Sequence, residues 1–324
     1  MNYRKLGKTD LEVSEISLGC WTLGGKNWQN GISIGWDDVN EQEATDAINY
    51  AIEKGVNHFD NADIYGNGRA ERMLAKILGS RNNDVIIASK VGWFSGTSEN
   101  AYDPMNIRHQ CEQSLKNLNR DYIDLYYFHH GYFGENDEYL DDAIDEMYKL
   151  RTEGKIRLIG QSAYSNEDFI KLVPKVKPDV LQSSANALDD HYLADDQPVS
   201  NLMKDEELSF VAFSPLGQGL LLDKFSKDNP PKFVEGDHRN RNEKFSKEYL
   251  TELEPKINKI KNEFGNTTED LSRVAQQYLL HYNSTGCVIP GFRNLEQVKI
   301  NLSAIDKPLT DDEFEFVKSV FNSK

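Results

Sequence analysis

Eight short runs of mostly apolar residues recur along the chain, each separated from the next by a stretch long enough to hold a helix. The runs are Ile16–Leu18, Asn57–Phe59, Val85–Ser89, Ile123–Phe128, Arg157–Gly160, Val180–Gln182, Phe210–Phe213 and Cys287–Ile289. Most are apolar on both faces, as in a parallel sheet covered on both sides. Parallel neighbours need a crossover, usually a helix, and three helix starts are legible. Asn40 precedes one, with Glu43 three residues on; Asp103-Pro104 opens a second; Ser165 precedes a third, with Asp168 three residues on. Strands alternating with helices in this number specify a (β/α)8 TIM barrel, an α/β fold. The rival is an open doubly wound sheet. No G-x-G-x-x-G follows the first run, and GNGRAE at Gly66–Glu71 follows the second run with the wrong spacing.

The ends of the chain fit around this frame. YRKLGKTDLEVSEISLG reads as a short hairpin, turned by GKTD, that leads into the first strand. A helix from about Asn294 to Ile305 and another from about Thr310 follow the eighth strand. The polar stretch Gly217 to Lys244, with NPP and EGDHRNRN, is a long loop of the kind that serves as a lid. No repeat, low-complexity tract or linker divides residues 1–324, so a single barrel domain is expected.

Of the 324 residues, 53 are acidic and 37 basic, a net charge of −16. This balance opposes binding to nucleic acid or anionic membranes, and an anionic cofactor would need a locally basic site. Cys20, Cys111 and Cys287 lie far apart without CxxC spacing, which suggests neither a metal site nor a disulfide framework. The start, MNYRKLGKTD, is too charged for a signal peptide, and no apolar run reaches the length of roughly 18 residues that spans a bilayer. A cytoplasmic protein is expected; nothing read here fixes its oligomeric state.

In such a barrel the C-terminal ends of the strands converge on one site. Asp60 ends the second strand, with Tyr65 just beyond it; Lys90 ends the third and His129 the fourth. Together these residue types make an acid catalyst. A free tyrosine has a pKa of about 10, and an ammonium beside it favours the phenolate, so Lys90 is expected to lower the pKa of Tyr65. A lysine buried there needs a carboxylate, which Asp60 supplies. His129 would donate to a substrate carbonyl or help polarise the tyrosine. Taken singly, Asp60 reads as a turn residue, Tyr65 as a packed aromatic and Lys90 equally well as an exposed strand end. Their occurrence at consecutive strand ends decides for the joint reading. His130 faces the other way along the strand and is expected to be bland. Trp21, and with less force Trp93 and Phe94, are candidates for the substrate pocket wall, against ordinary rim packing. Lys224 and Arg239 in the long loop are expected on a solvated face, and Cys20 and Cys111 in the core.

Several segments resemble the aldo-keto reductases. FDNADIYG is similar to their FDTAxxYG signature, and DYIDLYYFH to the fourth-strand motif that ends in the catalytic histidine. KIRLIGQSAYS, FVAFSPLGQGLL, VIPGFRNLEQVKINL and LTDDEF resemble further family segments in the same order, from about Lys5 onward. The resemblance implies a barrel closed at its base by the N-terminal hairpin. It also implies reversible, metal-free, NADPH-dependent reduction of an aldehyde or ketone, with NADH as an alternative donor. Asp60, Tyr65, Lys90 and His129 become the catalytic tetrad, with Tyr65 as proton donor. Ser162 and Gln182 would bind the nicotinamide carboxamide, and Phe213, often tyrosine in the family, would stack on the ring. Ser214, Leu216 and Gly219 would meet the pyrophosphate, Arg293 the 2′-phosphate and Asn301 the adenine.

Departures from the family pattern fall at Ala163, where asparagine is frequent, at Ile300, where glutamate is frequent, and at His130-Gly131-Tyr132, where x-P-D is frequent. The last borders the substrate, so the substrate, a small carbonyl compound, is not specified. Two other functions compete: an NADPH-binding sensor or channel partner with slow turnover, and a lyase or isomerase with Lys90 as Schiff-base amine.

Overall fold

Residues 1–322 are described by a computed structural model. Eight parallel strands form one sheet in chain order: Leu18–Gly19, His58–Asp60, Ile86–Val91, Ile123–Phe128, Ile156–Ser162, Val180–Ser184, Ser209–Phe213 and Thr285–Ile289. Bridges from Ile16 to Val288 and from Gly19 to Gly291 close the eighth strand onto the first. The expected (β/α)8 barrel is therefore the fold. The approach at the seam is close: a Cβ on Gly19 would lie 2.9 Å from the Ile289 carbonyl oxygen.

The hairpin Tyr3–Lys5 and Glu12–Ser14 plugs the base. Its Leu6 and Val13 are fully buried and pack with the inward-facing Ala88, Leu125, Val180 and Val211. The Arg4 guanidinium donates to the carbonyls of Leu280 at 2.8 Å and Thr285 at 3.0 Å, at the start of the eighth strand. Outside the barrel, helices bury one apolar stripe each against the strands, as Ala44, Ala47, Ile48 and Ala51 do on the helix Glu41–Glu53. The expected caps are made. Asn40 accepts from the N–H groups of Gln42 and Glu43, Asp103 from Met105 and Asn106, and Ser165 from Asp168. Two further helices, Leu295–Leu302 and Asp311–Asn322, complete the described chain. No helix among the described residues is long and apolar enough to cross a membrane.

Two loops at the C-terminal mouth depart from expectation. After the first strand stands a small hairpin, Trp28–Gln29 paired with Ile32–Ser33, turned by Asn30 and Gly31 at φ 51° and 75°. After the seventh, the long loop folds into 3-10 turns at Gly217–Leu222, His238–Arg241 and Glu243–Phe245. The loops clasp each other. Gly35 bridges Asp237, the His238 N–H donates to the Gly35 carbonyl at 3.0 Å, and Ser33 Oγ donates to the Gly236 carbonyl at 2.5 Å.

Candidate active site

At the mouth, the second, third and sixth strands bring four groups into contact. Lys90 is 1 % exposed, and its Nζ donates to Asp60 Oδ1 at 2.5 Å, to the Asn61 carbonyl at 2.6 Å and to the Tyr65 hydroxyl at 3.3 Å. Those acceptors account for all three ammonium protons. The other Asp60 oxygen accepts from Gln182 Nε2 at 2.8 Å, a contact the sequence did not announce. Because Lys90 donates to the Tyr65 oxygen, the phenolic proton points elsewhere, and Tyr65 faces the cleft. The exposed-strand-end reading of Lys90 does not hold: it lies beneath the cleft floor.

The expected lowering of the Tyr65 pKa is not what the structure gives. Burial pushes the phenol well above its ordinary value, and the Asp60 carboxylate adds to this. Because Asp60 is in contact with the lysine, the amine's cationic field at Tyr65 is largely compensated. Tyr65 is held protonated, as a proton donor must be.

His129 also faces the cleft, its ring perpendicular to that of Tyr65 with centroids 6.1 Å apart. Its Nδ1 is buried without a partner. Burial, then Lys90 and His130, hold its pKa well below the usual imidazole range, so the ring is neutral and carries one N–H. His130 turns away as expected. Its Nε2 lies 2.7 Å from the Gly92 carbonyl and its Nδ1 accepts from the Tyr132 N–H at 3.1 Å, a pattern that fits the neutral Nε2–H tautomer.

Aromatic rings wall this end. Trp21 lies 5.9 Å from Tyr65 at 25°, and Trp93 stands edge-on to His129 at 6.0 Å. Trp36 and His238, neither singled out in the sequence, complete the wall. The His238 ring sits 4.4 Å from both Trp21 and Trp36. Phe94 is not among the lining residues described; its carbonyl instead accepts from Asn106.

A cleft of about 780 Å3 runs from this wall along the mouth. Ser162, Gln182, Phe213, Ser214, Leu216, Gly219, Arg293 and Asn301 all line it. The Ser162 hydroxyl is buried without a partner. Ser214, Gly217, Gln218 and Gly219 hold positive φ of 56°, 55°, 57° and 99°, and left-handed backbone of this kind forms concave anion sites. Asn301 donates to the Gly291 carbonyl at 3.2 Å.

Lys224 is exposed, as expected, at the edge of the cleft; Arg239 is not on a solvated face. Both line the cleft with Lys232, Arg241 and Arg293. Partial desolvation at the cleft edge, then the charges of Arg293 and Arg239, lower the Lys224 pKa. The Arg239 side chain is 10 % exposed, forks onto Asp237 at 3.0 and 2.6 Å, and stacks on Phe233 at 4.0 Å. A protein of net charge −16 thus concentrates cations along one arm of its cleft.

The sequence model of the Aldo/keto reductase family matches residues 15–322. The chain belongs to the aldo/keto reductase family. It is 30% identical to the uncharacterised oxidoreductase YqkF of Bacillus subtilis (strain 168), over 98% of this chain and 96% of that protein. It is 27% identical to L-galactose dehydrogenase of Arabidopsis thaliana, over 93% of this chain and 87% of that protein. Among solved structures, the holo form of aldo-keto reductase AKR11C1 from Bacillus halodurans matches with a TM-score of 0.76 at 25% identity, over 99% of this chain and 96% of that one. Membership makes the chain an oxidoreductase of the carbonyl–alcohol type.

The departures from the family pattern have local consequences in this aldo/keto reductase. Ala163 is fully buried; its N–H donates to the Gln182 carbonyl at 3.3 Å and its carbonyl accepts from Ser183 Oγ at 2.6 Å. It has no side-chain donor to offer. Ile300 puts an apolar face beside Asn301 in the cleft. Gly131 keeps its loop tight on the first turn of a neighbouring helix, since a Cβ there would lie 2.5 Å from Asp168 Cγ.

Proposed function

We propose that this aldo/keto reductase reduces a small aldehyde or ketone to the alcohol, reversibly, with NADPH as donor. The observation that supports this most is the hydrogen-bond pattern of Lys90, which ties down the amine and leaves the Tyr65 proton facing the cleft. Tyr65 is the general acid: kept protonated by burial, it delivers its proton to the carbonyl oxygen. The Lys90 hydrogen bond strengthens as the phenol becomes phenolate, because a charged acceptor binds an N–H about twice as strongly. Asp60, held in turn by Gln182, fixes the lysine. His129 offers its single N–H to the carbonyl oxygen.

The residues along the cleft suit a phosphorylated dinucleotide, which supplies the hydride when bound. The unpartnered Ser162 hydroxyl and Gln182 would hold the carboxamide, and Phe213 would face the ring. Ser214, Leu216 and Gly219 would hold the pyrophosphate, Arg293 with Lys224 the 2′-phosphate, and Asn301 the adenine. The clustered cations favour NADPH over NADH, which lacks the extra phosphate.

The test is Tyr65→Phe. The variant keeps NADPH binding, read by quenching of the cleft tryptophans, and loses about 10²–10⁴-fold in turnover of a good carbonyl substrate, the usual worth of a general acid. Wild-type turnover in the variant refutes the assignment.

A further inference from the structure

The His129 ring is aimed by packing. Its Nδ1 is buried without a partner, and the rings beside it on the cleft side are Tyr65 at 6.1 Å and Trp93 at 6.0 Å, each at 77°. Tyr65 is fixed by Lys90. Trp93 stands on the loop after the third strand and is 38 % exposed. The rings it meets are His129 and His130. Whatever seats Trp93 therefore decides where His129 points.

His130 is built to do so. Its Nε2–H donates at 2.7 Å to the carbonyl of Gly92, the peptide that leads into Trp93, and its ring meets the indole at 4.7 Å and 63°. Its Nδ1 accepts from the Tyr132 N–H at 3.1 Å. Burial keeps the ring neutral against the opposing pull of the Gly92 bond and the Asp168 carboxylate, so one nitrogen donates and the other accepts. The backbone of His130 is pinned as well. The hydroxyl of the fully buried Tyr102 accepts from the His130 N–H at 2.9 Å and donates to the His130 carbonyl at 2.8 Å. Gly92 closes on that same hydroxyl: it sits at φ 147°, and a Cβ there would lie 2.6 Å from Tyr102 Oη. Gly92, Tyr102 and His130 thus tie the loop after the third strand to the end of the fourth.

We infer that His130 is a positioning residue: through its hydrogen bond to the Gly92 carbonyl and its ring contact it seats Trp93, and Trp93 holds the His129 ring toward the cleft and shields it from water. The inference rests on the proposed role of His129 in carbonyl reduction for its kinetic readout only; the spectroscopic readout is independent of that role.

Three variants separate the contacts. His130→Leu keeps apolar bulk and removes both ring hydrogen bonds, His130→Gln offers an amide N–H to the Gly92 carbonyl, and His130→Asn offers an acceptor to the Tyr132 N–H. Histidine NMR on the full chain, with the His129 signal assigned through His129→Gln, follows the titration of His129. In His130→Leu and His130→Asn its midpoint is expected to move up toward the free imidazole value as water reaches the ring, and in His130→Gln to stay where it is in wild type. With a good carbonyl substrate, kcat should fall at least about tenfold in His130→Leu and His130→Asn, within the cost of a misplaced catalytic group, while Kd for NADPH stays within about twofold and His130→Gln recovers most of the loss. An unchanged kcat and His129 titration in His130→Leu overturns the inference. An equal upward shift in His130→Gln would reduce His130 to its charge, and rescue by His130→Asn alone would move the effect to Tyr132; either overturns it. NADPH affinity falling in step with kcat would show a general loosening of the mouth and overturn it too. Absence of turnover in wild type, with the NMR order intact, would count against the reductase reading and leave the positioning role standing.

Discussion

Lys90→Met is the substitution that most directly probes how the site is held. It removes an amine shared by Asp60, Asn61 and Tyr65 and leaves the 2 % exposed Asp60 with Gln182 as its remaining side-chain donor. Removing one partner of a buried pair costs about 3–5 kcal/mol, because the other charge stays behind. Unfolding entropy of about 2.1 cal/mol/K per residue over 324 residues gives ~0.7 kcal/mol/K, so Tm should fall by about 4–7 °C. Turnover should fall by about 10²–10⁴-fold, since the phenolate loses its hydrogen bond. The double variant Asp60→Asn/Lys90→Met carries neither charge. Its stability should return to within roughly 1 kcal/mol of wild type, while its turnover stays low. Urea unfolding followed by circular dichroism, with steady-state oxidation of NADPH on the same preparations, separates the two effects. A single variant with wild-type Tm and turnover refutes the reasoning. So does a double variant as unstable as the single, which would assign the lysine to packing alone.

Three further outcomes are expected. Arg293→Ala should raise KM for NADPH about 10–100-fold, the range of a lost charged hydrogen bond, and leave KM for NADH within about twofold; an equal rise for both would move Arg293 off the 2′-phosphate. Gly66→Ala should cost at least about 1–3 kcal/mol in urea unfolding and displace Tyr65, since Gly66 sits at φ 60° and a Cβ there would lie 2.2 Å from the Gly24 carbonyl oxygen; an unchanged kcat would show that this contact does not position the proton donor. His58 is fully buried, and burial lowers its pKa from 6.5 to about 4. The unfolded chain therefore binds the extra proton first, and stability present above pH 6.5 is lost as pH falls toward 4, by up to roughly 3 kcal/mol. Unfolding midpoints at pH 7 and 4.5 should differ less in His58→Gln than in wild type, and equal differences would contradict the assignment.

What the sequence discloses and what it hides follow from the range of the forces involved. Ile123–Phe128 is a strand within the bounds expected because both its faces are buried, so six residues in a row advertise their environment. The first strand is shorter than expected: Ile16 makes only an isolated bridge to Val288 at the seam, a pairing set by a strand some 270 positions away. Caps at Asn40, Asp103 and Ser165 are local chemistry and were legible. The hairpin over the mouth had its signal in Asn30-Gly31, the dipeptide that favours a type I′ turn. Its paired segments, Trp28–Gln29 and Ile32–Ser33, were too short to show alternation. Trp36 and His238 meet only because two loops clasp across about 200 residues of chain, and no local pattern reports that. Arg239 was misplaced for the same reason: polar neighbours in sequence suggested solvent, whereas its burial is supplied by Trp36 and Phe233 from elsewhere. The sign of the Tyr65 shift was missed because charge can be read from residue type, but desolvation depends on the finished fold.

That sign changes what Lys90 does. An ammonium that lowered the phenol pKa in the resting protein would partly unload the acid before the carbonyl arrived. Here the lysine's charge is met by Asp60, and Tyr65 keeps its proton. In the proposed reaction the amine acts when negative charge appears on the phenol oxygen, which is differential stabilisation of the transition state rather than of the ground state. The same network constrains the ligand side. Gln182 spends an amide N–H on Asp60, so it cannot swing that nitrogen fully toward a cofactor without releasing the carboxylate that positions Lys90. For the proposed carboxamide contact, its carbonyl oxygen would be the acceptor, and Ser162, buried without a partner, would be the neighbour able to donate. In the proposed function, cofactor placement and proton-donor placement would share one chain of contacts, from Gln182 through Asp60 and Lys90 to Tyr65, and a substitution anywhere along it should disturb both.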